Sequence, residues 1–399
     1  MLRTNISRHS QKGCPRHDRR GNIIVLSAVS MVMILGFTAL TVDVGFLMET
    51  RTQMQAAADS AALAAALEMP NGWGTGKTLT ATQVSTNGKA AAQTVAATFR
   101  VGEQPSAYID QTRDVRFGQR NQNADGQWVE TWNVTPYNMI EVTLHRDQPL
   151  SGTTVTRADQ AIPTFFAPVI GSTKTTLVTK ATAVLPAGDG FYIAPGSGLT
   201  CPLMPIAFDE GTWNNLIQNG IGSDNYRYNS NGTVTSGADG IKEVNLYPEG
   251  SNLLPPGNRG TVDIGPSSNS TTDISRQIRN GPNEEDLAYF GGKLEIPASG
   301  LLALNGDTGL SAAIKDDLAS IIGQPRAIPI FRSVSGPGNN ATYLIVKFVG
   351  IRILFVQLTG SPSHKKVVVQ PAPVFDGTIT RSSGPMQPDS IMSSLQIIH

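Results

Sequence analysis

A continuous run of apolar residues, from position 23 to position 42, constrains this chain more than any other feature of its sequence. About 20 residues at ~1.5 Å per residue cover the ~30 Å hydrocarbon core of a bilayer, and a helix in a soluble core rarely needs so long an apolar stretch. Six basic side chains precede the run and only Asp18 opposes them, which predicts a cytoplasmic N-terminus with residues 50–399 on the other side, periplasmic or extracellular. The basic residues are Arg3, Arg8, Lys12, Arg16, Arg19 and Arg20.

A cleaved secretory signal is the competing interpretation of this run. Such a signal also begins with basic residues, but its apolar stretch is typically shorter and ends at a small-residue cleavage site. Here residues 41–45 read Thr-Val-Asp-Val-Gly after a full-length span. The sequence therefore favours an uncleaved single-pass anchor in contact with the lipid bilayer.

The apolar helix is predicted to continue beyond the membrane as a stalk. Residues 49–69 contain no glycine or proline and are dominated by alanine, the best helix former, until Pro70 ends the pattern. A helix over residues 22–69 is on the order of 70 Å long at ~1.5 Å per residue. Gln55 and Asp59, four residues apart, are placed to hydrogen bond along it.

A row of small residues on the stalk is a candidate helix-packing surface. Met54, Ala58, Ala61 and Ala65 recur at alternating four- and three-residue spacing, the pattern of a narrow packing seam. Two packing partners are possible for this seam. The seam packs either against the chain's own ectodomain or against another helix, including a second copy of this one.

Asp43 is the unusual residue of the anchor, an acidic group at the boundary predicted to be outermost. A carboxylate there is costly unless it reaches water or a partner. It is either an interfacial carboxylate that marks the end of the span or a contact between helices, and we treat it as a fifth packing candidate.

Composition predicts the class of the remainder. There are 40 glycines and 25 prolines, and only 16% of the residues are charged, so a turn-rich β or α+β ectodomain in one or two parts fits better than a helical bundle. A formal net charge of zero gives no electrostatic reason to expect nucleic acid. Cys14 and Cys201 lie on opposite sides of the predicted membrane and cannot pair within the chain.

Local patterns divide the chain into a basic tail (1–21), a transmembrane and stalk helix (22–69), an α+β part (70–190) and a second β-rich part of unknown role (191–399). They predict further helices, strands, a linker and a polar tail. Two predicted helices cover residues 89–99, which follow a break at Asn87-Gly88, and residues 311–322. A third predicted helix starts at a cap on Asp273 or Ser275 and ends before Gly281. A fourth starts after Asn283. The predicted strands are a hairpin of 115–117 and 128–130 and the segments 139–145, 176–185, 343–349, 351–358 and 367–369. Residues 186–190 are predicted as a linker and residues from 381 onward as a polar tail.

Two segments resemble ligand-binding motifs, but each lacks a residue that its motif requires. Residues 72–78 resemble a phosphate-binding loop but have Asn71 where the pattern needs glycine, and residues 121–126 resemble a calcium loop whose bidentate Glu is replaced by Trp132. The five histidines are scattered, and no serine-hydrolase elbow or zinc-binding His-Glu-x-x-His helix is present. We expect no enzyme, no catalytic residue, no metal and no cofactor.

Three ordered features of the N-terminal segment together resemble one known family. They are a basic-glycine entry to the span, a Val-Asp-x-Gly exit and an alanine-rich helix, and they resemble the N-terminal segment of TadG-like proteins of bacterial Flp (tight adherence) pilus systems. Looser similarity continues in residues 115–118, 140–143, 164–166 and 181–184. The entry is Arg19-Arg20-Gly21-Asn22, the exit Val42-Asp43-Val44-Gly45, and the helix Gln53-Met54-Gln55-Ala56-Ala57-Ala58-Asp59-Ser60-Ala61-Ala62-Leu63-Ala64.

The resemblance implies a single-pass inner-membrane protein that contributes to the assembly or anchoring of an adhesive pilus and contacts pilus components or pilin-like helices. It implies no catalytic residues. Prepilins carry a glutamate five residues after their cleavage glycine, whereas Leu26 stands there after Gly21, so processing by a prepilin peptidase is not expected. The alternatives are a membrane-tethered envelope-binding module or adhesin unrelated to pili and, less favoured, an anchored hydrolase.

Overall fold

The structure of the protein is a computed structural model that describes residues 20–148, 158–247, 259–266, 270–307, 309–336, 338–361 and 364–398. It is a mixed α+β protein in which a long N-terminal helix precedes a strand-rich region, as predicted. Most of the basic tail lies outside the described residues. The helices are α1 (Arg20–Ala66), α2 (Ala81–Ala96), α3 (Glu210–Asn219), α4 (Thr271–Asn280), α5 (Glu284–Ala288) and α6 (Lys315–Ser320).

The strands form several separate sheets. In chain order they are β1 (Val115–Gln122), β2 (Trp128–Trp132), β3 (Met139–Arg146), β4 (Ile162–Pro163), β5 (Lys174–Thr175), β6 (Leu177–Val184), β7 (Gly188–Tyr192), β8 (Ile206–Asp209), β9 (Tyr226–Tyr228), β10 (Val234–Ser236), β11 (Val244–Asn245), β12 (Arg259–Val262), β13 (Lys293–Glu295), β14 (Leu302–Asp307), β15 (Pro325–Ser335), β16 (Ala341–Gln357), β17 (Lys366–Pro371), β18 (Ile379–Arg381) and β19 (Gln396–Ile398).

Helix α1 joins the predicted span and the predicted stalk without a break. Its 47 residues extend about 70 Å at ~1.5 Å per residue. The hydroxyls of Thr38 and Thr41 donate to carbonyl oxygens four residues earlier, at 2.8 Å each, so these polar groups are satisfied within the helix. A 3-10 turn at Pro70–Gly72 follows the helix, where proline ends the pattern as expected.

The second half of α1 and helix α2 pack on a five-stranded antiparallel sheet of order β19-β6-β3-β1-β2. The predicted β1–β2 hairpin and the strands at β3 and β6 are confirmed, because their alternating pattern and turn signals are local. Small residues of α1 let the helix lie close to the sheet. The core includes Ala57, Ala58, Ala61, Ala62, Ala65, Phe117, Ile140, Val142, Ala181 and Ala183.

The prediction that α2 starts after Asn87-Gly88 is wrong. The helix starts at Ala81 because Thr80 and Gln83 form a capping box, each satisfying a backbone N–H of the other. Position 88 lies inside the helix and needs glycine, because no space is left for a side chain. A Cβ there would lie 2.6 Å from Cζ of Phe117 and 3.0 Å from the carbonyl oxygen of Ala65.

The larger part of the chain is organised by a seven-stranded sheet of order β11-β17-β16-β14-β12-β8-β15. Strand β15 also pairs with β16, so β16, β14, β12, β8 and β15 form a closed ring. Helices α3, α4 and α6 cover one apolar cluster of this region, and α5 contributes to a second. The 17-residue strand β16 is the common element, because it pairs with β14, β15 and β17.

Two predicted strands around Gly350 are in fact this one strand, β16. Gly350 does not interrupt the ladder, because it permits a close approach of the neighbouring chain: a Cβ there would lie 2.1 Å from the carbonyl oxygen of Ala372. The strand predicted at residues 367–369 is confirmed within β17.

The predicted linker at residues 186–190 and the predicted polar tail from residue 381 are both wrong. Strand β7 begins at Gly188 and pairs with β13 and β18. The tail segment buries Met386, Ile391 and Met392, and its last strand, β19, returns to pair with β6 of the first sheet. The end of the chain thus belongs to the sheet on which α1 rests.

Helix caps in the second part follow the predictions with one correction. Helix α4 is capped by Ser270, whose hydroxyl accepts from the N–H of Asp273, and not by Asp273 or Ser275. Gly281 follows its end and Asn283 caps α5, as expected. The predicted helix at residues 311–322 is a 3-10 turn followed by α6.

Candidate functional site

The first half of α1 is the largest exposed apolar surface of the described residues. Helix α1 is the one described helix long and apolar enough to span a membrane, and its most apolar window has no residue buried inside the protein. We call residues 23–42 the span. Exposed apolar side chains continue past it through Val44 to Met48, and the charged residues Glu49 and Arg51 follow.

The second half of α1 has a different environment, because the rest of the chain covers one of its faces. The four seam residues Met54, Ala58, Ala61 and Ala65 are each at most 1% exposed. They face the first sheet and α2, which is the intramolecular alternative. The face of this half that carries the seam is therefore occupied, whereas the span, the band just beyond it and outward-facing residues such as Arg51 and Ala56 are exposed.

Polar side chains fix the start of this buried half. The Gln53 side-chain oxygen accepts the N–H of Gly102 at 2.8 Å. The Gln55 amide donates to the carbonyl oxygen of Lys180 at 3.0 Å and to the predicted partner Asp59 at 2.8 Å. The helix is thus tied to two other parts of the fold immediately beyond the exposed band.

Asp43 lies between the two halves, and its carboxylate is bound by a remote loop. It accepts three backbone N–H groups, from Phe165 at 2.8 Å, Phe166 at 3.0 Å and Ala167 at 2.7 Å. These donors are at the start of the 3-10 turn Ala167–Ile170, where N–H groups have no partner within the turn. Asp43 is only 4% exposed, so the three bonds satisfy a buried charge.

This contact is additional to the two sequence interpretations of Asp43, which are an interfacial carboxylate and a contact between helices. Within the described residues the carboxylate binds backbone N–H groups of a loop. Its partners are 122 to 124 residues away in the chain, which no local pattern can reveal. The signals available in the sequence were the acidic residue itself and the looser family similarity of residues 164–166.

The loop that meets Asp43 is a small closed unit, residues 162–175, which we call the junction loop. Strands β4 and β5 pair at its base, and the Thr164 hydroxyl donates to the carbonyl oxygen of Ser172 at 2.7 Å. Its 3-10 turn ends at Gly171, whose φ of +91° favours glycine. The Phe165 ring packs edge-on against Phe46 of α1, with centroids 5.2 Å apart.

A separate cleft of about 700 Å³ is lined mainly by the second part of the chain, together with residues 187–189. Its charged groups are partly paired: Lys347 Nζ is 2.6 Å from Oδ2 of Asp389, which also accepts the indole N–H of Trp213 at 2.8 Å. Burial raises the pKa of the Asp189 carboxyl, and a hydrogen bond from Thr380 opposes that shift. The cleft thus offers polar contacts to a ligand.

Other chemical groups do not converge on a site in the described parts of the chain. The residues that the structure describes contain no group of three or more His, Cys, Asp and Glu side chains placed to hold a metal ion. Burial raises the pKa of the Cys201 thiol to about 12, so at neutral pH it carries a proton and is a poor nucleophile.

Comparison with known proteins found a family match in the N-terminal segment of the chain. Residues 21–68 match the family model of Flp pilus-assembly TadE/G-like proteins, and the match ends two residues after α1. Neither the search of curated proteins nor the search of solved structures found a match. All of α1 except its first residue is thus similar to the Flp pilus-assembly TadE/G-like family, as the sequence resemblance predicted.

Proposed function

We propose that this protein is a single-pass membrane component that contributes to the assembly or anchoring of a Flp/Tad adhesive pilus in a structural, non-catalytic role. Its N-terminus is cytoplasmic and its globular region, residues 50–399, is periplasmic or extracellular. The partners are the lipid bilayer and other pilus-assembly components or pilin-like helices.

The observation that carries this proposal is the division of α1 into an exposed half and a buried half within the family-matched segment. The span is apolar and uncovered, which suits lipid or another apolar helix. The other half belongs to the core of the globular region. Force or movement at the membrane end therefore reaches the first sheet directly, as a structural anchor requires.

The division also supports a position for the proposed contact with partner helices. The seam at Ala58 and Ala61 is occupied, so self-association or pilin contact through it would first have to open the core. The span has no buried residue, and we place this contact there. Support for the cytoplasmic N-terminus comes from the six basic residues that precede the span.

A span exchange tests whether the anchor contacts pilus components. Residues 23–42 are replaced by a Leu/Ala span of equal length, which leaves Asp43 and the globular region unchanged, in the native host lacking its own copy. We expect the variant to remain in the membrane, with a protease-resistant globular region, but to lose surface pilin that the wild type restores. Normal piliation would show that the span is only a tether and would overturn the assembly role assigned to it.

The cleft favours one alternative function, a membrane-tethered module that binds an envelope polymer. Polar side chains such as Asn214 and Gln218 line it, and these suit sugar hydroxyls. The test is binding of soluble peptidoglycan and polysaccharide fragments to the protein and to Asn214→Ala, with Asn219→Ala on the same helix as control. Polymer binding that only Asn214→Ala weakens would support this alternative.

A further inference from the structure

We propose that the junction loop inserts into the interface of the bilayer on the side of the globular region and forms a second lipid contact beside the span. This inference rests on the proposed membrane anchoring. The ligand is the lipid surface itself, at the level where headgroups meet acyl chains.

The first observation is the apolar surface of the loop. Phe165 is 61% exposed, Phe166 is 46% exposed and Val169 is 89% exposed, so one short turn presents three large apolar side chains outward. Residues 162–173 contain no charged residue, and the exposed Lys174 follows them. An apolar tip with a basic residue at its edge suits acyl chains and headgroup phosphates, respectively.

The second observation is the position of the loop along α1. The three hydrogen bonds to Asp43 hold it directly after the 20-residue span, and the Phe46–Phe165 contact holds it one turn further on. Exposed apolar residues on α1 itself continue to Met48. The loop therefore lies beside the band between Asp43 and Glu49, where a span of this length reaches the membrane interface.

The third observation is that most N–H groups at the tip of the loop have acceptors. Asp43 accepts the three at the start of the 3-10 turn, and the N–H groups of Val169, Gly171 and Ser172 bond to carbonyl oxygens within the loop at 3.0 to 3.1 Å. Backbone outside regular helices enters a water-poor layer only when its donors have partners. The same carboxylate thus supplies both the position of the loop and its tolerance of low polarity.

The surface is continuous with the exposed span, and this continuity identifies lipid as its occupant. A soluble partner would have to bind an apolar tip held against the membrane end of a helix. The lipid contact needs no further component, because the bilayer that covers the span extends to the loop.

Depth-dependent quenching tests the proposal on the full chain. In a Cys14→Ser, Cys201→Ala background, Val169→Cys carries an environment-sensitive fluorophore, and the protein is reconstituted in phosphatidylcholine–phosphatidylglycerol vesicles that contain lipids with a nitroxide at a shallow or a deep acyl carbon. Met48→Cys is the control in the exposed band of α1. Ile221→Cys, at a residue 63% exposed in the second part of the chain, is the control for an apolar site outside the junction.

We expect position 169 to be quenched more by the shallow nitroxide than by the deep one, as position 48 is, and position 221 to be quenched by neither. Quenching at position 48 without quenching at position 169 would overturn the loop contact and leave the anchor intact. Absence of quenching at position 48 would overturn the proposed anchoring and the loop contact with it.

Asp43→Ala, with the label at position 169, tests Asp43 as the positioning residue. We expect quenching at position 169 to fall while position 48 and the thermal unfolding of the globular region stay unchanged. Asp59→Ala, on the same helix, should leave quenching at position 169 unaltered. Equal quenching in the wild type and in Asp43→Ala would overturn the role of Asp43 in holding the loop at this depth.

Discussion

Replacement of Asp43 by alanine is the perturbation that most directly tests the junction between the anchor and the globular region. The carboxylate accepts three backbone N–H groups at 2.7 to 3.0 Å, and all three are charge-assisted. Alanine removes every acceptor and leaves three donors at the start of a 3-10 turn. The loop should then open locally far more often, while the core beneath the seam stays intact.

The size of the effect follows from the number and type of these bonds. The loss of one hydrogen bond to a charged group corresponds to roughly 10- to 100-fold in a local opening equilibrium. The three bonds share one carboxylate and do not add independently. We therefore expect the amides of Phe165, Phe166 and Ala167 to exchange their hydrogens on the order of 100-fold faster in Asp43→Ala.

Hydrogen exchange followed by mass spectrometry, on the full chain in lipid nanodiscs, measures this change. Peptides that cover the junction loop report the three amides, and peptides from β3 and β6 report the core. Asp59→Ala is the matched control, because Asp59 bonds to the Gln55 side chain on the same helix. Unchanged exchange in the loop of Asp43→Ala would refute the assignment of Asp43 as the acceptor that holds it.

Three further predictions concern the globular region. Gly88→Ala places a methyl group 3.0 Å from the carbonyl oxygen of Ala65, so the free energy of unfolding should fall by about 1–3 kcal/mol and the unfolding temperature with it. Gly36→Ala, with nothing within 4 Å, should cause no loss, and equal unfolding temperatures of the two variants would refute the close packing of α1 on α2. In a Cys14→Ser background, Cys201 should not react with a maleimide at neutral pH until guanidinium unfolds the protein, because the thiol is buried and its pKa is raised to about 12. Rapid labelling of the folded protein would contradict that burial. Burial raises the pKa of Asp189, so its charged form opposes folding, and any stability that the carboxyl contributes is lost as pH rises through its folded pKa. Asp189→Asn should therefore raise the unfolding temperature at pH 7 and have less effect at pH 4. A larger effect at pH 4 than at pH 7 would contradict the shift.

The features that could be predicted from sequence are those with local causes. The length of α1 follows from an uninterrupted apolar and alanine-rich pattern, and the β1–β2 hairpin follows from alternation on both sides of a turn. Asn283 was recognisable as a cap because acidic residues follow it at once. Each of these signals lies within a few residues of the structure that it predicts.

The features that sequence patterns missed depend on distant parts of the chain. Gly188 starts a strand inside a proline- and glycine-rich stretch because β13 and β18, more than 100 residues later, supply its partners. Gly350 lies inside a strand because the carbonyl of Ala372 needs the space. Strand β19 appeared as part of a polar tail because its pairing with β6 has no local signature.

The candidate site shows the same division between local and remote signals. The seam was recognisable from the spacing of Ala58 and Ala61, but the element that covers it was not, because a sheet and a second copy of the helix both accept small residues. Asp43 was recognisable as unusual, but its partners are in a loop more than 120 residues away. The acidic side chain identified the residue, but its partners are apparent only in the three-dimensional structure.

Labelling of Arg51→Cys in spheroplasts tests the proposed topology most directly. Arg51 is exposed, lies just beyond the apolar band, and in a Cys14→Ser background is accompanied only by the buried Cys201. We expect the protein to stay in the membrane pellet after carbonate extraction, and position 51 to react with a membrane-impermeant maleimide equally in intact and in lysed spheroplasts. Reaction only after lysis, or recovery of the chain in the soluble fraction, would contradict a single-pass anchor with its globular region outside the cytoplasm.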